Sequence, residues 1–177
     1  MKKFLKIAAW TVAALLVVVF GGGMLLAPKW EVTRSRVIAA PPEAIHAYVG
    51  DLAKWPAWSP FEKEDPAIVI ECGQPSSGVG AKRSWRSEKV GNGSQTIVAS
   101  DPAKGVMILL EIEGFPSFDV EFVYAPVAGG TNVTWSDRGD VGGNPLNRWF
   151  AKMMGPMLGG SFEKGLADLD AVVTAKK

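Results

Sequence analysis

Few side chains in this sequence could do chemistry, and their spacing narrows the choices further. There is one histidine, His46, and one cysteine, Cys72. A Ser-His-Asp or Cys-His arrangement needs an imidazole aimed into a cleft. A helical reading of residues 43–52 instead puts Ile45, Tyr48, Val49 and Leu52 on one apolar stripe and leaves His46 and Glu43 off it, toward solvent. A lone cysteine supports neither an internal disulfide framework nor a multi-cysteine zinc or iron–sulfur site, so no metal ligand set and no cofactor is assigned. Acid pairs occur at Glu111/Glu113 and Asp119/Glu121, at the two-residue spacing that lines one solvated face of a strand. The run Gly139-Asp140-Val141-Gly142-Gly143 lacks the Lys-Ser/Thr of a phosphate loop, and Gly91-Asn92-Gly93 reads as a hairpin turn. No catalytic residue is assigned.

What remains is apolar recognition. Trp55, Trp58, Trp85, Met107, Leu109, Phe118, Phe122, Trp135, Trp149, Phe150 and Met153 supply large side chains, and small-molecule pockets are mostly apolar with a few polar handles. Arg83 and Ser87 share alternation with Trp85, and Asp137 with Trp135, so these are the handles that could orient a ligand. The same aromatics could equally pack an ordinary core, and both readings stand at this stage.

The elements that must position these groups follow from periodicity. Residues 30–40 are rich in β-formers and stop at Pro41-Pro42, so they read as a strand, followed by a short helix that Pro42 opens. In the run from Asp51 to Pro60, Pro56 and Pro60 follow Trp55 and Trp58 closely. They predict a stiff, extended connection whose two indoles either line an opening or cap one end of the core. From residue 67 onward, β segments at 67–72, 81–89, 94–100, 105–114, 117–124 and 131–138 are separated by Gly, Asn or Pro turns, the pattern of an antiparallel meander. Phe118, Val120, Phe122 and Tyr124 share one face, as do Thr131, Val133 and Trp135; residues 106–112 are apolar on both faces, as in a covered central strand or one lining a cavity. Asn144-Pro145 then caps a helix with Leu146, Trp149, Phe150 and Met153 on one side, which Gly155-Pro156 and Gly159-Gly160 interrupt. Ser161 caps a final helix in which Phe162, Leu166, Leu169 and Val173 oppose Glu163, Lys164, Asp168 and Asp170, with Lys176 and Lys177 matching the dipole at its end.

The amino terminus is of a different kind. From Ile7 to Ala27 there is no charge, a stretch that as a helix at ~1.5 Å per residue spans about 31 Å, close to the hydrocarbon thickness of a bilayer. It predicts a transmembrane anchor over residues 1–29 and a folded domain over 30–177, with a cleaved signal peptide as the competing reading. The cluster Lys2, Lys3 and Lys6 favours an amino terminus in the cytoplasm, hence a single-pass membrane protein with its domain on the non-cytoplasmic side. The chain's net charge is +1, and residues 1–29 hold four lysines and no acid, leaving the domain faintly acidic. Such a domain exerts no general pull on phosphates, which argues against nucleic acid as a partner.

The order of strand, small helical insertion, six-strand antiparallel run and long last helix resembles the START-like helix-grip superfamily, SRPBCC, and within it the polyketide cyclase/dehydrase group. The words that carry the resemblance are Ala40-Pro41-Pro42-Glu43-Ala44-Ile45, Asp51-Leu52 with Trp55-Pro56-Ala57-Trp58-Ser59-Pro60, Gly78-Val79-Gly80-Ala81, Gly130-Thr131 with Trp135, and Phe162-Glu163-Lys164-Gly165-Leu166. The resemblance implies an α+β fold in which a curved antiparallel sheet of about seven strands wraps a long carboxyl-terminal helix. It also implies a hydrophobic cavity between them for lipids, sterols, polyketides or other apolar ligands, and it carries no catalytic motif. The expectation is a membrane-anchored, noncatalytic domain that binds an apolar small molecule or lipid, its protein partner unknown. One alternative is a polyketide cyclase or dehydratase in which Arg83, Asp137 or Glu111 polarises the substrate; another is an interaction module of the chaperone-cofactor kind.

Overall fold

The computed structural model describes residues 2–175, and Lys176 and Lys177 lie outside the described residues. The chain opens with α1 (Lys2–Leu16), a π-helical stretch (Val17–Gly21) and α2 (Gly22–Leu25), which run on as one apolar rod. Its stretch Lys6–Leu25 is long and apolar enough to cross a membrane, a description that a signal sequence also meets. Then come β1 (Lys29–Ile38), α3 (Pro42–Val49), a 3₁₀ turn (Leu52–Ala57), α4 (Pro60–Glu64), β2 (Val69–Cys72), β3 (Lys82–Arg86), β4 (Gly93–Asp101), β5 (Gly105–Ile112), β6 (Phe118–Val127), β7 (Gly130–Asp140) and α5 (Pro145–Thr174).

The strands form a single antiparallel sheet in the order β1-β7-β6-β5-β4-β3-β2. Consecutive hairpins build the meander, and β1 closes it by pairing with the last strand, Val32 opposite Asp137 and Arg34 opposite Trp135. α5 lies across the concave face. Its inner stripe of Met154, Phe162, Leu166 and Leu169 meets the inward residues Val32, Val120, Phe122, Val133 and Trp135 in one apolar core, because a helix stripe and a sheet face each need such a partner. Gly165 makes the close approach possible: a Cβ there would stand 2.8 Å from the Trp135 ring and 3.0 Å from Pro60.

Four local expectations change. Residues 51–60 are not extended: Asp51 caps a 3₁₀ turn through its Oδ1, which accepts from the Ala53 N–H at 3.2 Å. The i+3 bonds of this turn, such as Trp58 N–H to Trp55 O at 3.0 Å, make no demand on the missing N–H of Pro56. Gly155-Pro156 and Gly159-Gly160 do not break the last helix, which is continuous over thirty residues. Tertiary contact holds it together there: Gly159 leaves room for the Arg34 guanidinium, and Ser161, rather than capping a helix, donates its hydroxyl to Glu64 Oε1 at 3.0 Å. His46 does not face open solvent; its ring lies over Gly50, edge-on to Tyr124 at 6.0 Å, with Nε2 3.1 Å from Ser100 Oγ. Residues 106–112 are covered on one side only, with Val106 and Ile108 in the core and Met107 and Leu109 on the convex face.

Candidate functional site

The inner face of the grip is built around aromatic rings. Trp135 of β7 stacks on Phe162 of α5 at 4.2 Å with an interplanar angle of 7°. Phe122 of β6 lies 4.9 Å from Trp135, and the 3₁₀ turn brings Trp58 to 5.7 Å from Trp135 and Trp55 to 4.8 Å from Trp58. All five are buried. The turn's short rise aims both indoles inward, whereas an extended segment would point residues three apart to opposite sides. These rings occupy the middle of the space in which an open cavity was expected, so the centre of the grip is packed. Two clefts, of about 370 and 720 Å³, open elsewhere on the surface; the first is lined by His46, Lys54, Ser77 and Ser100 among others, the second by Asp65, Arg86 and Ser87 among others.

At one side of this cluster β3 sends Arg83 inward. Burial works against its charge, and the Glu62 carboxylate of α4, ion-paired with it in an equally buried position, holds the charge in place. The guanidinium carbon also lies 5.2 Å from the Trp55 ring, a cation–π contact.

At the other side stands Asp137. Its Oδ1 accepts a 2.9 Å hydrogen bond from the Trp135 indole N–H, and its strand neighbours in register are Val32 and Val120. Burial pushes its carboxyl up to about 7, with the Trp135 bond opposing the shift. One inward position further along β7, the Gly139 backbone is flanked by Phe118 and Trp30, whose rings meet edge-on at 5.3 Å. Phe115 of the β5–β6 turn stacks on Phe150 of α5 at 5.1 Å and closes this end. The ion pairs fix where α5 lies over it. Arg36 meets Asp170 at 2.8 Å, and Arg34, two residues earlier on the same face of β1 and opposite Trp135, meets Glu163 at 2.6 Å. The next row, Val32 with Asp137, therefore falls beneath the first half of α5.

The residues singled out for binding thus fall into three groups. Trp55, Trp58, Arg83, Phe122 and Trp135 come together in the centre. Phe118, Asp137 and Phe150 gather at the end nearest the amino-terminal helix. Trp85, half-buried against Gly93, Met107 and Leu109 on the convex face, and Trp149 and Met153 on the outer side of α5 are not in the grip. Ser87, beyond β3, donates to Asp65 Oδ2 at 2.6 Å, which lowers the Asp65 pKa. Glu111 lies exposed near Lys82 and Ser94. Sequence reasoning missed Phe162, Glu62, Met154, Phe115 and Trp30. Phe162 could have been found, since its helical stripe had to land on the β7 ring; Glu62 carries no sequence signal tying it to Arg83.

Solved structures share this architecture. Protein CV1439 from Chromobacterium violaceum is 17% identical with a TM-score of 0.57, covering 82% of this chain and 98% of that chain. SA2116 from Staphylococcus aureus is 15% identical with a TM-score of 0.62, covering 82% and 93%. Ara h 8.0201 is 15% identical with a TM-score of 0.53, covering 84% and 99%. The comparison with curated proteins found no match. With a helix-grip fold of this order, and with residues 29–174 matching the family's sequence profile, the chain belongs to the polyketide cyclase / dehydrase and lipid transport family.

Proposed function

We propose that this chain is a membrane-anchored binding domain for an apolar small molecule or lipid, residues 1–29 forming the anchor and 30–177 the binding domain on the non-cytoplasmic side. The ligand is taken at the Asp137 end of the grip. The observation that carries the reading is Asp137 itself: a buried carboxyl among apolar side chains whose one side-chain partner among the described residues is the Trp135 indole. A group kept at such desolvation cost suits the single polar handle of an apolar site, where it bonds a hydroxyl or carbonyl of a greasy ligand. Because the centre is packed, binding requires the first half of α5 to swing off the sheet, and that half contains Pro156 and no ion pair to β1 among the described residues. Native mass spectrometry of the detergent-extracted full-length protein tests this. Copurifying apolar molecules, depleted in Asp137→Asn and in Met154→Trp, are expected; a protein that stays ligand-free and whose melting temperature is unmoved by added lipid would overturn it.

The same carboxyl favours a second reading. An acid titrating near neutrality inside an apolar site is matched to general acid–base work, as a cyclase or dehydratase would need. Turnover lost in Asp137→Asn while ligand binding persists would favour the enzyme over the carrier.

A further inference from the structure

The first half of α5 carries two apolar faces. One, with Ala151 and Met154, is buried on the sheet. The other turns outward: Leu146, Trp149, Met153 and Met157, spaced three to four residues apart, are 49%, 39%, 55% and 53% exposed. Phe115, itself 39% exposed and stacked on Phe150, extends this surface onto the sheet. Exposed large apolar groups in a continuous stripe are uncommon on a surface that meets only water.

The stripe is joined to the amino-terminal rod by specific contacts. The Trp149 indole N–H donates to the Val19 carbonyl at 2.9 Å, within the π-helical stretch. The Arg148 Nη1 donates to the carbonyls of Met24 and Leu26 at 2.9 and 3.3 Å, satisfying acceptors that the rod's end leaves open. The missing Cβ atoms of Gly22 and Gly23 are what let Trp149 and Pro145 come so close. These contacts set a depth. Val19 lies six residues before the rod's last helical residue, Leu25, about 9 Å along the axis at ~1.5 Å per residue. Each headgroup layer is about 5–7 Å thick, and interfacial helices bury their apolar face roughly 5–10 Å into the headgroup boundary. A rod that spans the bilayer therefore carries Trp149 and its neighbours down to the acyl boundary with it.

We infer that the outer face of residues 145–160 is a second membrane-contacting element, seated in the bilayer interface beside the anchor with Leu146, Trp149, Met153 and Met157 against lipid. This rests on the anchoring proposed above. It gives the binding end of the grip direct contact with the lipid phase, so that an apolar ligand passes between bilayer and protein without crossing water.

The test uses full-length protein in phosphatidylcholine nanodiscs. In a Cys72→Ser background, an environment-sensitive fluorophore is placed by Met153→Cys, Met157→Cys, Val12→Cys within the rod, or Val79→Cys in the exposed β2–β3 loop. Labels at 153 and 157 should show blue-shifted emission and strong quenching by lipids bearing a doxyl group near the headgroup, the label at 12 should be quenched by lipids bearing it deep in the acyl chain, and the label at 79 by neither. If 12 is quenched while 153 and 157 behave like 79, the interfacial seat is overturned and the anchor stands. If 12 is not quenched either, both readings fall.

Discussion

From residue 161 to 174, α5 buries Phe162, Leu166 and Leu169 completely and ties its flanks to the domain through Arg34–Glu163, Lys63–Asp168 and Arg36–Asp170. From 145 to 160 the same helix buries Ala151, Met154 and Gly159 and holds Pro156 in its interior, with Gly155 and Gly160 meeting nothing where a Cβ would be. Beside the Phe115–Phe150 stack, this half is also hydrogen-bonded to the amino-terminal rod. The two halves have similar lengths and opposite roles: one clamps the grip through ion pairs, and the other bridges the grip to the rod with no ion pair to β1 among the described residues. Interlocking rings and paired flanks stabilise the first arrangement, whereas flexible methionines and interrupted backbone bonding keep the second open to rearrangement.

The largest expected contrast comes from the clamp. Phe162→Ala removes a fully buried ring from Trp135 and should destabilise the domain by about 3–5 kcal/mol, read as a drop in the chemical denaturation midpoint. Met153→Ala, on the exposed side of the other half, should leave that midpoint nearly unchanged in detergent; equal losses would erase the distinction.

Asp137 tests what lies beneath the first half of α5. Its acidity in the folded state is weakened from the ordinary 3.8 to about 7, so between those values the native state holds a proton that the unfolded chain has released. The contribution of Asp137 to stability is therefore greatest below about pH 4 and falls as pH rises toward 7, by up to about 4 kcal/mol. Asp137→Asn should flatten that slope in pH-dependent melting, and an unchanged slope would remove the carboxyl from the account.

Pro156→Ala restores one backbone bond at an exposed position and should stabilise by about 1–3 kcal/mol while slowing amide exchange over 145–160. On the proposed binding mode ligand release should slow with it, and a faster release would show that the first half of α5 is not the door. The smallest effect belongs to the clamp's flanks. Arg36→Gln should cost about 0.2–1 kcal/mol, since its pair with Asp170 is partly solvated, and the loss should shrink at high salt.

Much of the architecture is legible in the chain. Turn residues at regular spacing delimit the six meander strands, and alternation along residues 118–124 and 131–135 identifies the face that became the core. The stripe of Phe162, Leu166 and Leu169 likewise has the spacing of a buried helix face. Misreadings occur where local propensity met a tertiary contact. Gly155-Pro156 and Gly159-Gly160 look like breaks because glycine and proline weaken an isolated helix, yet Arg34 fills the space Gly159 leaves and the sheet carries the helix through. Leu146, Trp149, Phe150 and Met153 look like one core stripe, but only Phe150 packs against the core; Trp149 goes to Val19. Periodicity identifies a face without naming what it meets.

The sequence by itself determined the apolar rod, the six-strand meander and the apolar stripe of the last helix, because each follows from the period of its apolar residues and the turn chemistry at its ends, whereas the pairing of β1 with β7 was decided by the tertiary structure. Only the tertiary structure decided that Arg83 finds Glu62, that Asp137 is buried with an indole for a partner, and that rings fill the centre of the grip. Arg83 and Glu62 stand 21 positions apart, and although Asp137 is only two residues from Trp135, its burial depends on what covers that face, so neither propensity nor spacing encodes these outcomes. They are settled by which side chains the folded sheet and helix bring within a few ångströms of one another.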